Sequence, residues 1–308
     1  MTPNLSLIIL NYNRKKDLVE LINSILKQTY KNFEIIVVDN ASSDGSVEEI
    51  KRTYSGVKIV ALEKNIGRSG HNKGANIAKG EILVFLDADM YFPFSFLAKL
   101  RDKFKLLPSL NAASFNMKDP SARTPGWQPV YIKKNGDNRI GYESCFGGGM
   151  LAIKRKIFED VGGFNPSFFV YVDEWEYLIR LWAEGYSVRY FPDLLGYHKE
   201  SPYAYRSVMR GYHVIVNHAQ IYALYLPVKL WPKFLSHHSR ETVRILAKNE
   251  ADRWGTLRGL ILAGFYFLKA LPKRNVVKGG ALEKFLRFYF PKKGDVIVEK
   301  WGWGKSSN

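Results

Sequence analysis

Asp87 and Asp89 stand one residue apart at the end of Ile82-Leu83-Val84-Phe85-Leu86, a short apolar run that reads as a buried strand. Side chains two apart on an extended segment point the same way. Two carboxylates facing one object suit a hard divalent cation, Mg²⁺ or Mn²⁺. Such an ion takes oxygen ligands and completes its shell with water and substrate phosphates. The plainer alternative is an acidic pair that caps a helix or closes a turn, and Asp-x-Asp alone does not separate the two.

The elements around this pair narrow the choice. Leu5 to Leu10 is a β-rich apolar run that stops at Asn11-Tyr12-Asn13. Leu18, Leu21, Ile22, Ile25 and Leu26 recur at a helical period over residues 16–27. A second strand, Phe33 to Val38, stops at Asp39-Asn40, and a third, Val57 to Leu62, leads to Asn65 and Gly67. A helix over residues 70–79, carrying Lys73, leads into the strand before Asp87. Strands that alternate with helices and end in polar loops predict an α/β doubly wound arrangement whose active edge lies at the strand C-termini.

Further along, a helix is expected over residues 95–107, before Pro108, and a loop over residues 119–138. Gly147, Gly148 and Gly149 would let backbone approach a ligand closely, though a flexible turn explains them equally, and a strand follows to Ile153. A short helix spans residues 156–161. Asp173-Glu174-Trp175-Glu176 then opens a helix running to about Ala183, with Gly185 as its stop. Residues 188–192 read as a last strand, with His198 beyond it.

The 308 residues carry 46 Lys and Arg against 29 Asp and Glu, a net charge of +17. The excess is uneven: residues 199–308 hold 20 basic and 7 acidic side chains. That segment suits nucleic acid, an anionic membrane or a phosphorylated substrate. The single cysteine, Cys145, excludes an intrachain disulfide and a cysteine zinc site, which fits a reducing, cytoplasmic setting. The N-terminus has no signal-peptide pattern and reads as the first strand. Beyond Tyr203 helical patterns rich in Arg, Lys, Tyr and Leu take over. Gly259 to Leu268 is apolar between Arg258 and Lys269, too short to span a bilayer but suited to its interface. The segment over residues 281–293 has the same character, and packing on the catalytic domain or in a dimer is the alternative.

Taken together, "SLIILNYNR", "IIVVDNASSDGS", "NIGRSGHNKGANIAKGEILVFLDADM", "GGGMLAIKRKIFEDVGGFNPSFFVYVDEWEYLIRLWAEGYSVRYFPD" and "GYH" resemble the inverting nucleotide-sugar glycosyltransferases of family 2, especially the bacterial rhamnosyltransferase-like members. The resemblance covers about residues 5–200. It implies a GT-A type (Rossmann-like) α/β fold, with a nucleotide-sugar half over about residues 1–90 and an acceptor half over about 91–200. Residues 201–308 then form a basic, mostly helical extension. By the same resemblance Asp39 accepts a hydrogen bond from N3–H of uracil or thymine, Asn11 and Tyr12 border the base, and Asn65 and Lys73 reach the nucleotide. Asp87 lies by the ribose, and Asp89 and His198 ligate Mg²⁺ or Mn²⁺. Glu174 is the expected catalytic base, with Asp173 as the other candidate because the family's usual Glu-Asp order is reversed here. Asn165 stands where relatives usually have Asp. Gly147, Gly148, Gly149 and Trp175 would frame the acceptor.

The implied activity is transfer of a sugar from a UDP or dTDP donor to a hydroxyl of a glycan or lipid-linked acceptor, in cell-surface polysaccharide, O-antigen or glycolipid synthesis. The expected location is the cytoplasm, peripheral to the inner face of the membrane, and an oligomer is compatible with the sequence. Two other classes compete. A non-catalytic basic binding protein is countered by the nearly neutral N-terminal half and the lack of a nucleic-acid motif. A metal-dependent nucleotidyltransferase would need a glycine-rich, basic triphosphate loop, which Asn11-Tyr12-Asn13-Arg14 does not offer.

Overall fold

The computed structural model describes residues 4–118, 120, 131–132, 137, 139–146, 149, 151–199, 210–248 and 253–290. In chain order the elements are β1 (Leu5–Asn11), α1 (Lys15–Leu26), β2 (Phe33–Asp39), α2 (Ser46–Thr53), β3 (Val57–Ala61), α3 (Gly70–Ile77), β4 (Ile82–Asp87), β5 (Met90–Tyr91), α4 (Phe96–Leu106), β6 (Ala112–Lys118), β7 (Tyr131–Ile132), β8 (Tyr142–Ser144), β9 (Leu151–Lys154), α5 (Arg155–Val161), α6 (Asp173–Ala183), β10 (Val188–His198), α7 (Arg210–Tyr225), α8 (Trp231–Lys248), α9 (Arg253–Ala270) and α10 (Gly279–Tyr289). The mixed α/β architecture with a helical C-terminal region is the one expected.

The chain divides into two compact units. One holds Met1–Pro166 and Tyr186–Glu200; the other holds Ser167–Gly185 and Ser201–Phe290. Residues 167–185, which the sequence reading groups with the first 200, thus associate with the C-terminal helices instead.

The first unit is built on one sheet in the order β3-β2-β1-β4-β9-β6-β10-β8-β7, with β5 paired to β10. The strands β3, β2, β1 and β4 run parallel. The sheet is mixed beyond them, because β9 lies antiparallel between β4 and β6. The parallel strands read as continuous apolar runs because both sheet faces are covered. On one face Leu7, Ile9, Val84 and Leu86 join Leu18, Leu21 and Ile22 of α1 and Phe96, Leu97 and Leu100 of α4 in one core. On the other, Phe85 meets Phe158 at 4.8 Å and Phe164 at 5.1 Å between ring centroids. Each such side chain contributes about 1.5–3 kcal/mol by leaving water. Helix α3 approaches the sheet closely because Gly74 has no side chain: a Cβ there would lie 2.5 Å from Ile8 Cγ2 and 2.9 Å from Val38 Cγ2.

The register sets the height of the functional ends. Asn11 pairs with Asp39, and Leu10 with Asp87. Polar residues from three adjacent strands therefore finish at one sheet edge. Strand β10 is longer than the sequence suggests. It runs through Pro192, where the pairing with β6 breaks between Phe191 and Leu195, and resumes to His198. Proline lacks the N–H that a ladder needs, so it sits where the ladder is interrupted.

In the second unit, α6 packs on α10 through aromatic rings: Trp175 is edge-on to Phe285 at 5.8 Å, and Trp182 stacks on Phe288 at 5.5 Å. Glu176 pairs with Arg180 at 2.8 Å and accepts a hydrogen bond from the Tyr225 hydroxyl at 2.6 Å. Helices α7 and α9 cross closely at Gly259, where a Cβ would lie 3.0 Å from Tyr212 Cα. Among the described residues no helix is long and apolar enough to cross a membrane.

Candidate functional site

The β1–α1 and β2–α2 loops are tied together by side chains. Asn11 Nδ2 donates to Asp39 Oδ2 at 2.7 Å and to Ser42 Oγ at 3.1 Å. The Ser42 N–H donates to Asp39 Oδ1 at 2.7 Å, so Asp39 also closes a local turn. Asn13 accepts from the Ser43 N–H at 2.7 Å while adopting a left-handed φ of 53°. Asn11 and Asp39 are buried, and Asn11 Oδ1 has no hydrogen-bond partner among the described residues. That buried acceptor beside a carboxylate suits an incoming N–H. Tyr12, at the same loop, keeps 43% of its surface exposed. Asn65 Oδ1 accepts from the Gly67 N–H at 2.9 Å, and Asn40, which sequence reasoning did not single out, donates to the Gly67 carbonyl at 3.1 Å. Lys73 is exposed on α3.

The second cluster surrounds the two acids after β4. His198 Nε2 lies 3.2 Å from Asp89 Oδ1, and Arg14 Nη2 lies 3.7 Å from Asp89 Oδ2. Arg68 donates from Nη1 to Asp87 Oδ1 at 3.4 Å. The β5–β10 ladder, in which His198 faces Met90 and Tyr197 faces Tyr91, brings the end of β10 to Asp89. The Lys199 N–H donating to the Asp89 carbonyl at 2.9 Å completes the join. Arg14 and Arg68 were not legible as site residues, since a cation in a loop carries no local signal of its partner.

The charges are set by these neighbours. Burial raises the Asp87 carboxyl above its ordinary value, with Arg68 offsetting part of the effect and Asp89 adding to it. Burial also opposes ionisation of Asp89, but the hydrogen bond and charge of His198, with Arg14, outweigh it and hold that carboxyl low. Burial lowers His198, and the Asp89 hydrogen bond and charge overcome it to leave the imidazole raised.

The donor set of Asp89 and His198 fits a divalent cation. Two ligands of one such ion stand about 3 Å apart when each is about 2.1 Å from it, and the observed separation is 3.2 Å. His198 Nδ1 is buried without a hydrogen-bond partner among the described residues, so the ring is not committed through that atom. No group of three or more His, Cys, Asp or Glu side chains among the described residues could hold an ion alone. A pair of protein ligands leaves room for substrate phosphates.

Gly149 lies against this cluster. Its φ is +66°, and a Cβ there would meet Asp87 Oδ2 at 2.5 Å and Met90 Cε at 2.7 Å. Only glycine combines that backbone with that approach. Gly147 and Gly148 lie outside the described residues. A cleft of about 650 Å³ lined by Asn4, Tyr30, Glu81, Arg101 and Lys154 opens at the other end of the strands, away from the acids.

Asp173 and Glu174 belong to the second unit. They are buried in the first turn of α6, where a helix N-terminus favours negative charge. The two residues before them are left-handed, Tyr171 at φ 59° and Val172 at φ 65°. A β-branched residue in that region is strained. The clamp is Asn217 of α7, whose Nδ2 donates to the carbonyls of Val170 at 3.0 Å and Tyr171 at 2.6 Å. Gln220 in turn donates to Asn217 Oδ1 at 3.2 Å. Sequence reasoning missed Asn217; its one signal is a pair of amides, at 217 and 220, flanking His218 inside a largely apolar and aromatic helix. Trp175 is half-buried against α10.

Residues 6–162 match the family described as glycosyl transferase family 2, and residues 130–202 match one described as N-terminal domain of galactosyltransferase. An uncharacterized glycosyltransferase of Haemophilus influenzae is 30% identical over 185 residues, 58% of this chain and 62% of that protein. The chain therefore spans less than two thirds of that relative. Among solved structures, Staphylococcus aureus TarS 1–349 in complex with UDP-GlcNAc aligns with a TM-score of 0.56 at 15% identity, over 92% of this chain and 81% of that one. The mannosyltransferase PcManGT of Pyrobaculum calidifontis in complex with GDP-Man and Mn²⁺ aligns with a TM-score of 0.52 at 22% identity, over 89% and 73%. At these identities the likeness speaks for the fold, and that fold is the expected GT-A type.

Proposed function

The chain belongs to glycosyl transferase family 2, and from that premise we propose that it is a metal-dependent, inverting hexosyltransferase. It moves a sugar from a UDP or dTDP donor to a hydroxyl of a glycan or lipid-linked acceptor in cell-surface polysaccharide, O-antigen or glycolipid synthesis. The observation that carries this reading is the convergence of Asp89 and His198 beside Asp87, on the same sheet edge as Asn11 and Asp39. The donor names of the two structural neighbours, UDP-GlcNAc and GDP-Man, support a nucleotide-sugar substrate.

The roles follow from the chemistry of each group. Asp39 and the unpartnered Asn11 Oδ1 accept from the pyrimidine N3–H, and the exposed Tyr12 ring lies over the base. Asp87 holds a ribose hydroxyl, with the Arg68 guanidinium beside its carboxyl. Asp89 and His198 hold the cation, which when bound offsets the charge that builds on the departing diphosphate. Glu174, or Asp173 beside it, takes the proton of the acceptor hydroxyl as that oxygen bonds to the anomeric carbon. The bond from that carbon to the phosphate oxygen breaks, and the nucleoside diphosphate leaves with the electron pair. One displacement with one base inverts the carbon. The basic C-terminal segment holds the enzyme at an anionic membrane surface, where a lipid-linked acceptor is presented.

The test is nucleotide release from UDP-, dTDP- and GDP-sugars with Mn²⁺ or Mg²⁺. Metal-dependent release from one donor, lost in Asp89→Ala, supports the reading and names the sugar. Silence across the panel, with no nucleotide-induced rise in melting temperature, overturns it in favour of a binding protein.

A further inference from the structure

Helix α9 is apolar on both faces, and the two faces differ in kind. The face on α7 is made of small residues: Gly255, Thr256 and Gly259 are buried, and the backbone of Tyr212 comes within 3.0 Å of where a Gly259 Cβ would be. The opposite face carries large residues in water. Trp254 is 78% exposed, Ile261 80%, Phe265 59% and Leu268 65%, with Leu257 and Leu260 also exposed. These positions recur every three or four residues. At about 100° per residue they form one stripe, centred about 180° from the glycine face. A helix that is apolar all round is normally buried in protein or in lipid. Its packing on α7 accounts for one side only.

Charge decides what covers the other. Over residues 210–290 the sequence holds 14 Lys and Arg against 4 Asp and Glu. Arg253, Arg258 and Lys269 are exposed on α9 itself, at the borders of the stripe. Arg258 lies over the Tyr212 ring at 5.5 Å, which leaves its head at the helix flank. Two copies meeting through this face would bring two strongly basic surfaces together. An anionic bilayer meets both demands at once: the stripe enters the acyl boundary, and the long cationic side chains reach the headgroups.

We infer that the outer face of α9 is a membrane-insertion surface for anionic lipid, with Trp254, Ile261, Phe265 and Leu268 entering the interface and Arg253, Arg258 and Lys269 contacting lipid phosphates. This deepens the membrane reading given above and rests on it, but not on sugar transfer, which is measured separately.

The full chain is sedimented with vesicles of phosphatidylcholine alone and with vesicles containing phosphatidylglycerol. Nucleotide release without vesicles is recorded on the same preparations. Binding is expected only to the anionic vesicles and is expected to weaken with salt. Ile261→Glu and Phe265→Glu, both at exposed positions, are expected to lower affinity at least tenfold while melting temperature and nucleotide release stay unchanged. Equal binding by these variants, or no binding to anionic vesicles, overturns the inference whatever the release assay shows. So does a two-copy mass in solution that Ile261→Glu reduces to one copy, since the stripe then belongs to a second copy.

Discussion

His198 Nε2 stands 3.2 Å from Asp89 Oδ1 because β5 and β10 pair antiparallel at that point, with His198 opposite Met90. A two-residue strand thus fixes the distance between groups far apart in the chain. The Tyr91 and Tyr197 rings stack beside it at 4.9 Å and hold the ladder in register.

Asp89→Ala and His198→Ala are expected to lower nucleotide release at least about a hundredfold, the size of losing one preorganised electrostatic group. Chelation by EDTA is expected to do the same to the unmodified enzyme, and added Mn²⁺ to restore it. Titrating Mn²⁺ against each variant checks this. Full release by chelated enzyme removes the cation from the mechanism.

Glu174→Gln is expected to reduce kcat by about 10²–10⁴-fold, the range for a positioned general base, with little change in donor KM. Asp173→Asn is expected to cost less. Steady-state kinetics with a water or hydroxyl acceptor measures both. A larger loss in Asp173→Asn exchanges their roles.

Asn217→Ala leaves the carbonyls of Val170 and Tyr171 without that donor, next to two left-handed residues. Stability is expected to drop by about 1–3 kcal/mol, read from urea unfolding. Release is expected to fall through kcat rather than donor KM, because the loop it clamps leads directly into Asp173 and Glu174.

His71 is fully buried, edge-on to Phe85 at 5.2 Å, and burial with the nearby Arg68 charge holds its imidazole at about 3. An unfolded histidine titrates near 6.5. Below that pH the unfolded chain binds a proton that the folded chain does not. Stability therefore falls as pH falls, by about 1.4 kcal/mol per unit, until about pH 3. Urea-derived stability between pH 7 and 5 should include this contribution beside those of His213, His218 and His238, which burial also holds low, and His71→Gln should flatten the slope by about one proton.

Local pattern carried much of the fold. The runs before Asn11, Asp39 and Asp87 are strands that end at those residues, because apolar strands buried on both faces stop where polar loops begin. The spacing of Leu18, Leu21, Ile22 and Ile25 gave α1 through its single buried face. Asp87 and Asp89 were visible as a chemical pair because their spacing is local, but the strand ends at Asp87 and Asp89 lies in the turn after it, so the two do not share one extended face.

What tertiary structure decided is everything that depends on distant pairing. The extension of β10 past Pro192 to His198 rests on β5 and β6 as partners, and a proline within a run argues for a stop when read alone. Arg14, Arg68 and Asn217 gain their places from segments that only folding brings together. The grouping of residues 167–185 with the C-terminal helices follows from aromatic packing of α6 on α10. Hydrophobic period records which face a residue turns inward, since each element buries one side. It does not record which other element lies against that side, and the site depends on that second choice.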